Sequence, residues 1–137
     1  MKRIDFLRDV SELFSFKTIS DEQGHDFVVW KSSALNQILG VTDKTEFEAV
    51  ENHVHLLDNI KKHEISSLIE IGKSLGEALL ASLVMVYPEK HFFVFASITL
   101  GDSFIIRFHQ KWESEAPYFD IENLQCNDKE YVITLFA

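Results

Sequence analysis

This chain is poor in the residues that staple, interrupt or anchor a protein. Cys126 is its only cysteine, which excludes an intrachain disulfide and fits a reducing compartment or a fold that needs no staple. A lone cysteine beside Asn127 at a strand end reads as a small buried hydrophobe rather than a nucleophile. Two prolines and five glycines are spread over 137 residues. No linker, repeat or low-complexity segment divides the chain, so residues 1–137 are read as one domain. Long apolar runs are also missing. The opening MKRIDFLRDVSELF is broken by Asp5, Arg8, Asp9 and Glu12, unlike a signal peptide. The most apolar stretch, Ser66–Tyr87, carries Glu70, Lys73 and Glu77, which argues for a core helix over a membrane span. The expected location is the cytoplasm.

Basic residues are scarce as well. Thirteen Lys and Arg face 22 Asp and Glu, a net charge of −9. Nucleic-acid binding rests on cations neutralising phosphates, so this balance excludes it, and it disfavours an anionic membrane surface in the same way. An acidic protein attracts basic proteins and speeds their encounter; the plainer role of the charge is solubility.

What the chain does have is apolar and aromatic mass. Hydrophobic residues make up 46% and include twelve Phe. Each buried aromatic removes roughly 150–250 Å² from water, so phenylalanine is expected to dominate the core.

Chemistry-bearing motifs are lacking. There is no HExxH, CxxC, EF-hand loop, Walker A loop, GxGxxG or GxSxG. On a helix His53 and His55 would point apart. His55 and His63 would be about 12 Å apart, too far to share an ion. No catalytic residue, metal or cofactor is assigned.

Periodicity gives the elements. Ile4, Leu7, Val10, Leu13 and Phe14 form one face of an opening helix. Phe16–Ile19 and Phe27–Trp30 predict a hairpin around Gly24. Ser32 or Ser33 opens a short helix ending at Leu39, with Gly40 after it. Thr42 or Asp43 starts a second long helix, with Phe47, Val50, Val54, Leu57 and Ile60 as its apolar stripe. A third helix runs from Ser66 to about Val86 and stops at Pro88. Its Gly72 and Gly76 lie on one face and invite close approach. Four strands follow: His91–Thr99, Phe104–Trp112, Tyr118–Leu124 and Tyr131–Phe136. The expected class is α+β: three helices on a four-stranded antiparallel C-terminal meander, with an extra N-terminal hairpin.

The connecting segments of that meander hold the densest acid. Glu113, Glu115, Asp120, Glu122, Asp128 and Glu130 face a single base, Lys129, between positions 113 and 130. Arg107, His109 and Lys111 share a strand face and are expected to pair across strands with Tyr118, Asp120 and Glu122. Trp112 adjoins the acids, and an aromatic with a polar rim is the composition of an interface anchor, although the same residue suits the core equally. These seven residues, the six acids and Trp112, are the expected partner-binding set, for a basic protein; the acidic helix face carrying Glu46, Glu48, Glu51 and Asp58 is the competing site.

In size, acidity, mixed α+β organisation and lack of active-site motifs the chain resembles the small bacterial immunity proteins, particularly those of contact-dependent growth-inhibition systems. The resemblance implies a cytoplasmic, non-catalytic protein that binds a toxin domain, often a basic nuclease, and blocks it. A second likeness is to type III secretion chaperones, from which the C-terminal strand Tyr131–Phe136 departs because those usually finish in a helix. A small-ligand or enzyme domain, with a pocket between sheet and helices using His109 or Cys126, is the alternative from another class.

Overall fold

The computed structural model describes residues 2–120 and 129–137. Among these residues three helices, α1 (Lys2–Ser11), α2 (Lys44–Glu51) and α3 (Ile65–Val86), accompany six strands. The strands are β1 (Phe16–Ser20), β2 (Asp26–Trp30), β3 (His53–Asp58), β4 (Phe92–Thr99), β5 (Ser103–Gln110) and β6 (Glu130–Phe136). Single 3₁₀ turns, Glu12–Phe14 and Lys62–Glu64, follow α1 and precede α3. The class is the expected one: a four-stranded antiparallel sheet in the order β3-β5-β4-β6, three helices, and the separate β1-β2 hairpin.

The sheet's fourth strand comes from an unexpected place. Residues 53–58 continue the apolar stripe of α2, yet α2 ends at Glu51 and His53–Asp58 pairs with β5. The stripe Val50, Val54, Leu57 suits a helix. The same segment also alternates Val54 and Leu56 inward, which suits a strand, and short apolar runs fit both periods. The decision falls at Asn52, whose backbone C=O accepts from Phe108 N at 3.1 Å and whose side chain bonds β2. The strand expected at Tyr118–Leu124 does not form over Tyr118–Asp120, and its remainder lies outside the described residues. The short helix expected to end at Leu39 is absent too. Residues 31–43 run without helix, tied by a bridge between Asp21 and Ile38, and Ser33 bonds Glu51 (2.6 Å) instead of capping a helix.

Other local expectations hold. The hairpin turn is closed by Asp21, whose Oδ1 accepts from Gln23 N and His25 N, with Gly24 at φ +83°. Asp43 is the N-cap of α2, accepting from Glu46 N at 2.9 Å. α3 lies along one face of the sheet. A Cβ on Gly72 would sit 3.1 Å from Ala96 Cβ, and one on Gly76 would sit 2.7 Å from Leu135 Cδ1. The two glycines therefore set the helix-to-sheet distance. The main core lies in this seam, with Phe92, Val94, Ala96 and Ile98 of β4 and Phe104, Ile106 and Phe108 of β5 beneath Leu68, Leu79 and Leu83. A second cluster, Ile19, Phe27, Val29 and Ile38, sits on the other side of the hairpin, with Phe47 and Trp112 packed against it.

Candidate partner-binding surface

α2 stands between the hairpin and the main sheet, and its Glu48 and its C-cap Asn52, one turn apart, join them. Glu48 is fully buried and accepts four N–H donors. Oε1 takes Gln110 N (2.5 Å) and Trp112 Nε1 (3.1 Å), while Oε2 takes Val28 N (2.9 Å) and Gln110 Nε2 (2.6 Å). Asn52, also buried, donates to Val28 O at 2.8 Å and receives Trp30 N at 3.4 Å. The outer edge of β2, which no strand covers among the described residues, is thus hydrogen-bonded to Glu48 and Asn52. Burial pushes the Glu48 carboxyl up to about 7, against the pull of its four donors. The sequence gives no sign of this role: an acid in an amphipathic helix reads as solvent-facing, and only the fold turns it inward.

The segment after β5 closes over this junction. Glu115 accepts from Thr45 N (2.7 Å) and Lys44 N (3.3 Å), the first free amides of α2, and pairs with Lys44 Nζ at 3.2 Å. Burial alone would raise its pKa, but these bonds win and hold it below the usual carboxylate range. Trp112 is half-buried, tilted against Phe27 at 5.1 Å, with Lys44 Nζ 5.5 Å from its ring centre. His109 is buried between Gln110 O (Nδ1, 2.6 Å) and Tyr118 N (Nε2, 3.1 Å). Since Tyr118 N can only donate, Nε2 accepts and Nδ1 carries the proton. Burial, the main cause, depresses its pKa.

The expected acidic set therefore divides. Glu113 and Asp120 are exposed, while Glu115 is engaged at the start of α2 and Trp112 is built into the fold. Glu130 begins β6 opposite Thr99. Glu122 and Asp128 lie outside the described residues, as does Cys126. The cross-strand pairing takes another form: Arg107 donates to Ala49 O at 2.7 Å and lies 4.5 Å from the Tyr118 ring centre. His109 meets Tyr118 through its backbone, and Lys111 falls past the end of β5, exposed.

Around α2 the structure brings together residues that are scattered in the sequence. One groove of about 470 Å³ is lined by Asp43, Thr45, Glu46, Ser114, Glu115 and Tyr118. A second, also about 470 Å³, includes Leu39, Val41, Asp43, Glu46, Phe47 and Val50. They share Asp43 and Glu46. Leu39 is 67% and Val50 49% exposed, large values for apolar side chains beside one another. The surface is an apolar notch with a carboxylate rim, and Lys44, at the start of α2, is held by Glu115.

Among the described residues no cluster of histidine, cysteine and carboxylate side chains could hold a metal ion, and no helix is long and apolar enough to cross a membrane. No family model, curated protein or solved structure matches this chain.

Proposed function

We propose that this chain is a non-catalytic protein-binding module, an immunity protein that binds and neutralises a basic bacterial toxin domain in the cytoplasm. The observation that carries the reading is the surface around α2. Asp43 and Glu46 rim exposed Leu39, Val50 and Tyr118 on a chain of net charge −9, and exposed Glu113 directly precedes Ser114 of the same lining. Carboxylates at the rim steer a cationic partner, and apolar side chains within the notch supply the contact that holds it. A rigid frame supports them, because Glu48 and Asn52 tie α2 to both sheets. The alternative of a ligand pocket between sheet and long helix needs space where Gly72 and Gly76 stand against Ala96, Phe104, Ile133 and Leu135. That seam is filled.

The test is binding of purified toxin nuclease domains with excess Lys and Arg, set against acidic domains of equal size. A stable one-to-one complex that protects the toxin's substrate is the expected result. Binding that ignores the charge of the domain, or a turnover activity of the isolated chain lost on one substitution, sinks the reading.

A further inference from the structure

A third groove opens beside the C-terminal end of α2, and its side chains are almost uniformly hydrogen-bond acceptors. It holds about 160 Å³, against the roughly 10–15 Å³ that one water needs. Its floor is apolar: Leu13 and Trp30, both buried, with Val54 of β3 beside them. The rim carries Asp9 of α1, Glu12 of the 3₁₀ turn that follows, and Glu51, the last residue of α2.

The side-chain donors of this lining are engaged inside the fold. Trp30 Nε1 donates to Leu13 O at 2.9 Å, and Ser33 Oγ donates to Glu51 at 2.6 Å while accepting from Leu35 N. His53 Nδ1 donates to Val50 O at 2.5 Å, which leaves Nε2 of the neutral ring as an acceptor. Ser32 keeps the one uncommitted hydroxyl. The carboxylates are in the opposite state. Glu51 gives one oxygen to Ser33, and among the described residues neither Asp9, half-buried, nor Glu12 has a hydrogen-bond or ion-pair partner for its carboxylate. No lysine or arginine lines the groove. Lys17 Nζ, bound to Ser33 O at 2.6 Å, and exposed Lys31, in a neighbouring groove that shares Glu12 and Ser32, stand outside it.

We infer that this groove is a socket for a guanidinium group, the side chain of an arginine presented by the basic partner. Charge complementarity names the occupant: three carboxylates from three elements, with no lysine or arginine in the same lining, attract a positive group. A lining of acceptors suits a group that only donates, and guanidinium has five N–H donors and no acceptor. Its planar fork reaches several acceptors at once, and its weak hydration suits an apolar floor. A lysine ammonium is a compact, strongly hydrated point charge and gains less there. The inference rests on the reading of α2, because Glu51 also lines the notch of Leu39 and Val50, so a partner seated on the notch meets the socket at its edge.

Two measurements decide it. In the first, the isotope-labelled chain alone is titrated with N-acetyl-arginine amide, and NMR follows Trp30 Nε1–H and the amides of Ser32 and Ser33. A saturable shift is expected. N-acetyl-citrulline amide, which keeps the shape but replaces the cation by a urea, should give none. Asp9→Asn with Glu12→Gln should weaken binding of the arginine compound about tenfold, the scale of one charge-assisted hydrogen bond. Neither carboxylate has a partner within the fold, so that variant should fold as the native chain does. Glu51→Gln, whose amide oxygen can still accept from Ser33, is the second variant and should act in the same direction. In the second measurement, the variants meet a basic toxin domain that binds the native chain, and affinity should fall by a similar factor. No saturable shift, an equal shift from the citrulline compound, or a domain affinity that the variants leave unchanged overturns the inference; the last of these leaves the α2 reading standing. Arginine amide bound at the socket with no basic domain bound supports the socket and sinks the α2 reading instead.

Discussion

Glu48 is the residue on which the junction of hairpin, helix and sheet depends. Glu48→Gln replaces one acceptor oxygen by an NH₂ that faces two donors, stranding them in a buried site; at about 1–3 kcal/mol for a stranded buried group, a loss of roughly 2–4 kcal/mol is expected in denaturant unfolding. The pH dependence has a definite sign. A carboxyl at about 7 in the folded state and 4.5 in the unfolded one keeps its proton longer when folded. Its contribution is full below about 4.5 and declines as pH rises through about 7. The difference in stability between the native chain and Glu48→Gln, followed from pH 4 to 8, should shrink over that window; a flat difference would show that Glu48 does not titrate there. His109 acts in the opposite sense. Its depressed pKa means that its contribution is present above about 6.5 and lost as pH falls toward the folded value. Nitrogen NMR at neutral pH should show the neutral ring with its proton on Nδ1. A proton on Nε2 would contradict the bond from Tyr118 N.

At the scale of elements, the parts that were legible in the sequence are those where local pattern and tertiary demand agree. The hairpin around Gly24, the long helix before Pro88 and the strands flanking Gly101 are of this kind. So is the pairing of Gly72 and Gly76, whose spacing anticipated the close seam with β4 and β6. The illegible parts are those in which a distant element decides. Residues 53–58 suit either helix or strand until β5 offers an edge. Glu48 reads as part of an acidic helix face until β2 needs an acceptor. Glu115 and Trp112 read as interface residues until α2 needs an N-terminal partner. The seam yields a prediction with its magnitudes opposed. Glycine in a helix costs about 1 kcal/mol relative to alanine, and overpacking a core costs about 1–3. At Gly72 the added methyl meets Ala96 Cβ at 3.1 Å, a group with no torsion to turn away. Gly72→Ala should therefore lower thermal stability. At Gly76 the obstacle is the mobile end of Leu135, so Gly76→Ala should cost less despite the shorter distance. The reverse ranking would mean that α3 can shift outward to relieve Ala96.

Across the whole molecule, net charge and the surface around α2 combine into one test. If the carboxylates around α2 steer a basic partner, Glu46→Lys with Glu113→Lys should slow association and weaken its dependence on salt, because exposed charges act through a field screened within about 8 Å at physiological ionic strength. Both side chains are exposed, so folding should be unchanged. Glu115 is unsuitable for that purpose, since reversing it removes the acceptor for Thr45 N and Lys44 N and weakens α2 itself by about 1 kcal/mol, as loss of a helix cap does. Leu39→Ala and Val50→Ala should instead raise the dissociation rate, because truncating an apolar contact removes what holds the complex and leaves the encounter alone. Salt should weaken binding of a basic domain at α2, where opposite charges meet. If the charge and apolar variants around α2 all leave partner binding unchanged, the acidity serves solubility alone, and the contact surface is elsewhere on the molecule.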